Sequence, residues 1–291
     1  MSPIMKSIFR NALFALPVLA SILLFSPAHA EDLEMVNRPV NISGLTGLLF
    51  TAAPHTQLPG KVEIAASILT ENSVKPEYRV TEYPLSVTVG MKHNSEISLR
   101  GSYFDIKDGP TDTAAAYRQT GDIELSYKWN FMPQLEHSAV PGIALIITGI
   151  APTEKISSEK MSSLSHWGMR IGFSAGTEML WKEHVLGAYA DAYLAGQDAT
   201  EKRLRDIHEI INAGVLLPIS KYRNLQMFVE YSLVHGKDFT TMTGGDYSAF
   251  TYGLRLISER FNLTLGTQFL HKRSEIYDSS GRVGGLISMK F

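Results

Sequence analysis

Glu96 and Arg100 lie four residues apart in the stretch NSEISLRGSYFD, and Glu124 and Lys128 lie four apart in TGDIELSYKWNF. Even spacing puts each pair on one face of a strand, because strand side chains alternate with period two. If the two stretches pair antiparallel with residue numbers summing to 224, Arg100 faces Glu124, Glu96 faces Lys128 and Ser98 faces Ser126. Opposite charges across a ladder favour that register. A tight turn summing to 188 would set Lys92 beside Glu96, and Glu230 and Arg255 stand about equally far from the centre of 236–246. Arg170, Glu178, Asp191, Glu63 and Lys290 take the same face by parity. The chemistry of such a set is ion pairing, and it serves one of two ends. The charges neutralise one another as a polar core, or they line an aqueous path and select solutes.

Catalysis asks for more. A nucleophile or general base needs a Ser or Asp with a His in reach. The nine histidines are scattered: His235 near Asp238, His166 near Ser165, and His208 sharing parity with Asn212. None forms a signature, so the expectation is that the chain is not an enzyme, with a rim enzyme as the minor alternative. No His/Asp/Glu set has metal-ligand spacing, so neither metal nor cofactor is expected. Cysteine is absent, which excludes disulfides and a lipid-modified N-terminal Cys.

The elements that carry these residues are strands. From Gly60 onward about twelve segments of 10 to 15 residues alternate apolar and polar. In one of the clearest, Ile123, Leu125, Tyr127, Trp129 and Phe131 oppose Asp122, Glu124, Ser126, Lys128 and Asn130. The connections tend to alternate short (HNS, WKEH, SER) and long and polar (IKDGPTDTAAAY, TEKISSEKMSSLS, GKDFTTMTGGD). Soluble strands are typically 5–6 residues, whereas a tilted membrane-spanning strand needs about 9–11. Tyr83, Trp129, Phe131, Trp167, Trp181, Tyr222 and Phe261 fall at strand ends, where an interfacial belt would lie. The expected fold is all-β: a closed antiparallel up-and-down transmembrane β-barrel of about twelve strands, residues 60–291. Small inward residues (Gly172, Ser174, Gly176, Gly266, Gly284) leave room in its interior.

Residues 1–30 have the three-part layout of a secretory signal peptide. Lys6 and Arg10 precede an apolar run from Asn11 to Phe25, and Ala28-His29-Ala30 forms a small-x-small cleavage signature ending at Ala30. The apolar run is short of the roughly 20 residues that span a bilayer as a helix. Loss of the leader moves the formal charge from −2 to −4. That balance is too mild for nucleic acid, which is not expected as a partner. Residues 31–59 are too apolar around Leu45–Phe50 for a free tail. They either fold into the lumen or add a strand at the periplasmic rim.

The chain ends GRVGGLISMKF, with Val283, Ile287 and Met289 on alternate positions before Phe291. This ending resembles the bacterial outer-membrane β-barrel superfamily, in which the C-terminal Phe strand is read by the barrel assembly machinery. The resemblance implies an outer-membrane location, a lipid bilayer around the barrel, and that assembly machinery as a partner. A second stretch, SGLTGLLFTAAPHTQLPGKVEIAAS (43–67), is similar to the opening of barrels linked to exopolysaccharide export, through Gly44 to Gly47 and Pro59-Gly60. The functional expectation is therefore a porin-like channel or transporter for small solutes. The alternative is a non-conducting structural or accessory barrel in envelope or exopolysaccharide assembly.

Overall fold

Alternation becomes a single continuous sheet in the computed structural model, which describes residues 38–74, 77–108, 115–135, 140–153, 167–181, 184–197, 206–219, 224–235, 247–272 and 279–291. Its strands are β1 (Val62–Val74), β2 (Glu77–Met91), β3 (Ser95–Asp108), β4 (Ala115–Thr120), β5 (Ile123–Met132), β6 (Gly142–Ala151) and β7 (Gly168–Trp181). They are followed by β8 (His184–Gln197), β9 (Asp206–Pro218), β10 (Leu225–His235), β11 (Tyr247–Ile257), β12 (Phe261–Lys272) and β13 (Ser279–Lys290). Apart from β4 and β5, each pairs antiparallel with its sequence neighbours, and β1 pairs with β13 to close the ring. β4 and β5 share one place: β3 pairs with β5 over Ser95–Arg100 and with β4 over Tyr103–Asp108. The result is the expected closed antiparallel barrel, with twelve staves.

Closure settles the fate of the terminal strand. Phe291 N donates to Val62 O at 2.8 Å and accepts the return bond from Val62 N on its carbonyl at 3.2 Å, so β13 has no free edge. Val283, Ile287, Met289 and Phe291 all project outward, Phe291 with 62 % of its surface exposed. The same inversion holds around the barrel. On β5, Leu125 is 55 % exposed on the outside while Lys128 is 0 % exposed on the inside. Charged residues are almost never fully buried unless paired, and a large continuous apolar exterior marks a membrane surface. Among the described residues no helix is long and apolar enough to cross a membrane; the crossing elements are strands. Exposed aromatics mark both rims, but Tyr83, expected at a strand end, lies mid-strand on β2, opposite Tyr103. Trp129 and Phe131 meet at a tilt, 5.8 Å between ring centroids, at the short-turn end, and Trp167 lies just before β7 at the loop end. The side chains of Trp181 and Tyr222 lie outside the described residues.

The structure corrects two expected pairings. Between β2 and β3 the paired numbers sum to 186, with Gly90 opposite Glu96. Lys92 is therefore the first residue of an exposed turn, away from the inner wall. The turn needs two left-handed residues, His93 (φ 61°) and Asn94 (φ 52°), and this moves the register by two. Between β10 and β11, Glu230 lies opposite Thr251 and Arg255 opposite Gln226. Glu230 and Arg255 thus stand four residues out of register. Each is engaged instead by a segment that lies inside the barrel.

Candidate functional site: the filled lumen

Residues 40–53 have few backbone bonds of their own. Two isolated bridges, Val40 with Thr46 and Gly47 with Ala52, are joined by turns in which Gly44 takes φ +80°. Such a segment leaves N–H and C=O groups without a ladder, and buried backbone groups must find partners. The segment is nonetheless buried: Val40, Leu45, Leu48, Leu49 and Ala52 are all inside. Leu48 and Leu49 pack with Phe228, Leu216 and Leu286 of the wall. The wall makes room with glycine. A Cβ on Gly214 would come within 2.5 Å of Leu48 Cδ1, and one on Gly266 within 2.6 Å of Leu49 Cδ2. The space reserved by small residues at Gly266 and Gly176 is occupied by Leu49 and Pro54, not left as a passage.

Wall charges supply the missing partners by type. Carboxylates take the segment's N–H groups. Glu96 accepts from Thr46 N (2.9 Å), Thr46 Oγ1 (2.7 Å) and Gln57 N (2.8 Å). Glu230 accepts from Phe50 N (3.0 Å) and Thr51 N (2.7 Å), and Asp191 accepts from Ala52 N. Cations take its carbonyls. Lys128 Nζ donates to Thr46 O (3.1 Å) and Ala53 O (3.0 Å), Arg255 to Gly47 O (2.6 Å), and Arg100 to Ile42 O (3.0 Å). At the short-turn rim Arg38 forms a bidentate pair with Glu178 (2.7 and 3.0 Å), and Lys290 Nζ donates to Arg38 O. Charge-assisted bonds of this kind are roughly twice as strong as neutral ones.

The wall charges also meet one another. Lys128 and Glu96 pair at 2.8 Å, both 0 % exposed. Arg100 bridges Glu124 (3.1 Å) and Glu82, and Arg170 binds the second oxygen of Glu124. Glu96, Arg100, Glu124, Lys128, Arg170, Glu230 and Arg255 all stand on the inner wall. Parity put them on that face but did not give the bonds that Glu96, Arg100, Lys128, Glu230 and Arg255 make to the backbone of residues 42–57. A signal was available. An apolar, non-periodic stretch stands ahead of the first strand, and the lumen is one of the two places open to it.

The lumen is filled unevenly. At the short-turn end a gap of about 10 Å³ remains beside Arg255 and Gln226, the room of one water. At the loop end the cavity measures about 220 Å³. Its floor is the inner segment, through Ile42, Leu45, Leu49 and Phe50.

His55 couples the segment to pH. Its ring lies edge-on to Tyr189 at 6.4 Å, with Nδ1 3.8 Å from Glu178 Oε1. Burial pushes its pKa from 6.5 down to about 4; Glu178 opposes the shift, and Arg38 and Lys128 add to it. The folded state thus favours neutral His55. Its contribution is complete above pH 6.5 and is lost as pH falls from 6.5 towards 4. By pH 4 the loss amounts to about 3 kcal/mol at most. Thermal unfolding from pH 7 to pH 4 measures it: wild type loses stability across this window, and His55→Gln loses less.

Among the described residues no group of three or more His, Asp or Glu is placed to hold a metal ion. Of the histidine sets weighed from sequence, Ser165, His166 and Asp238 lie outside the described residues, and Asn212 donates to Asp191 Oδ1 at 2.7 Å.

A closed barrel with an apolar exterior and a charged, filled interior has the fold of an outer-membrane β-barrel. No family model and no curated protein matches the sequence. Solved structures do. The chain is similar to an outer-membrane channel from Pseudomonas putida F1, at 7 % identity over 81 % of this chain and 97 % of that one, with a TM-score of 0.61. It is also similar to LpxR from Salmonella typhimurium (10 % identity, 79 % and 99 % covered, TM-score 0.49) and to the NanC porin (10 %, 79 % and 98 %, TM-score 0.48). At these identities the likeness is one of fold. It also corrects the expectation of a non-enzyme. LpxR, an outer-membrane enzyme, stands among the matched structures, so the matches do not show a non-enzyme.

Proposed function

We propose that the chain is a porin-like outer-membrane channel for small solutes, shut by residues 38–53 in the conformation described. The leader is cleaved after Ala30, with Ala28 and Ala30 as the recognised small residues. Val283, Ile287, Met289 and Phe291 present the strand read by the assembly machinery. The short-turn end faces the periplasm, as is the rule for such barrels. The observation that carries this reading is the way the inner segment is held. It is attached by side-chain bonds to its backbone rather than woven into the sheet, so it can leave without breaking a strand ladder. Its likeness in fold to an outer-membrane channel supports the reading.

The second reading is a non-conducting structural or accessory barrel, and the fully paired Lys128–Glu96 core favours it. The exopolysaccharide role draws on the stretch 43–67 alone. Single-channel conductance in planar bilayers separates the two. Residues 31–291 are compared with a variant lacking 31–59. The expected result is small or intermittent conductance for the longer form and steady conductance, at least about tenfold higher, for the shorter. A shortened barrel that folds, by heat-modifiable migration on a gel, and carries no current would sink the channel reading.

A further inference from the structure

The loop-end cavity of about 220 Å³ is bounded by the inner segment below and the sheet around it. Its charges balance: Arg100, Arg170 and Arg282 against Glu82, Asp122 and Glu124. An anion or a cation alone would therefore meet as much repulsion as attraction. Much of that balance is spent on ion pairs, Arg282 with Glu71 (2.7 Å) among them, but not all of it. Both oxygens of Glu124 are taken, one by Arg100 and one by Arg170, and Glu82 is held by Arg100. Arg170 spends only one nitrogen on that pair, and its Nε has no hydrogen-bond partner. Two residues before Glu124, Asp122 Oδ1 is buried and also without a partner. An unmatched donor and an unmatched acceptor thus flank the same carboxylate. Asp122 stands about 6.7 Å along the strand from Glu124, and both Asp122 and Arg170 line the same cavity. Ser232 and Arg282 have unmatched atoms too, on the staves across the cavity.

Behind these polar groups the lining is apolar. Leu45, Ile150 and Tyr193 border the Arg170 side, and Phe50 and Leu49 form the floor. Buried apolar wall with a few convergent polar groups is the usual composition of a small-molecule site.

We propose that this cavity binds a small zwitterion with an apolar side chain, of which a branched-chain amino acid is the simplest case. Its carboxylate lies on Arg170, its ammonium group on Asp122, and its side chain on the aliphatic lining above the inner segment. The proposal rests on the barrel and its filled lumen, and names a solute class for the channel reading without depending on conductance.

The test is calorimetric titration of the full mature chain in lipid nanodiscs with leucine, 4-methylpentanoate (no amino group) and 3-methylbutylamine (no carboxylate). Leucine is expected to bind at least about tenfold more tightly than either, since each charged hydrogen-bonded contact is worth about a factor of ten or more. Arg170→Gln should weaken leucine by about tenfold and leave the amine unchanged. Asp122→Asn should weaken leucine similarly and leave the acid unchanged. Acid or amine binding as tightly as leucine would overturn the proposal, as would no leucine binding. The three-ligand comparison on wild type stands even if a variant fails to fold. A barrel that binds leucine but never conducts would sink the channel reading and keep the site; a conducting barrel blind to leucine would do the reverse.

Discussion

Lys128→Met is expected to cost the folded barrel about 3–5 kcal/mol, the penalty for leaving a buried charge without its partner. Lys128 spends its three donors on Glu96 (2.8 Å), Thr46 O (3.1 Å) and Ala53 O (3.0 Å), so nothing else can compensate. With the ammonium gone, Glu96 keeps its N–H donors from Thr46 and Gln57 but sits in a wall with no counter-charge at 2.8 Å. The measurement is the urea midpoint of the refolded protein in liposomes, followed by tryptophan emission. Adding Glu96→Gln to Lys128→Met should recover part of the loss, because the uncompensated charge goes with it. The same variant should also conduct more than wild type, since two of the bonds that hold residues 46 and 53 end on Lys128. A loss below about 1 kcal/mol would mean that water already reaches the pair.

Phe228→Ala is expected to cost about 3–5 kcal/mol, the range for emptying a packed aromatic site. The ring is 0 % exposed inside the barrel and lies under the Arg255 guanidinium at 6.0 Å. It packs against backbone at Gly253 and Gly266, where an added Cβ would come within 2.2 and 3.3 Å of Cζ. The neighbours are strands bound on both sides, so they cannot collapse into the space. The cost should fall on the docking of the inner segment as well, because Leu48 and Leu49 share the cluster with this ring. Thermal unfolding combined with protease sensitivity of the inner segment reads both effects. An unchanged midpoint would show that the lumen behaves as a wet channel rather than a protein core.

The barrel itself was written in local pattern. Period-two alternation is a property of consecutive residues, and the strands β3, β5 and β13 can be read from Glu96–Tyr103, Asp122–Phe131 and Val283–Phe291 alone. The β3–β5 register was legible for the same reason: two charge pairs of opposite sign close together in sequence admit one alignment, and the structure sets Glu96 opposite Lys128 and Arg100 opposite Glu124. Where a turn rather than a charge pair decided the register, at Lys92, the left-handed pair His93 and Asn94 overrode the count. Entry of the N-terminal segment into the lumen was one of two open alternatives, but which charge holds which of its residues was not legible. Thr51 N meets Glu230 across 179 residues, Gly47 O meets Arg255 across 208, and Lys290 reaches Arg38 O across 252. No periodicity links such positions, because a lumen-filling segment without secondary structure carries no repeat of its own. Only closing the sheet puts both partners in one small space. Burial then sends the N–H and carbonyl groups that the segment's own turns leave unpaired, such as Thr51 N and Gly47 O, onto the charges the wall presents.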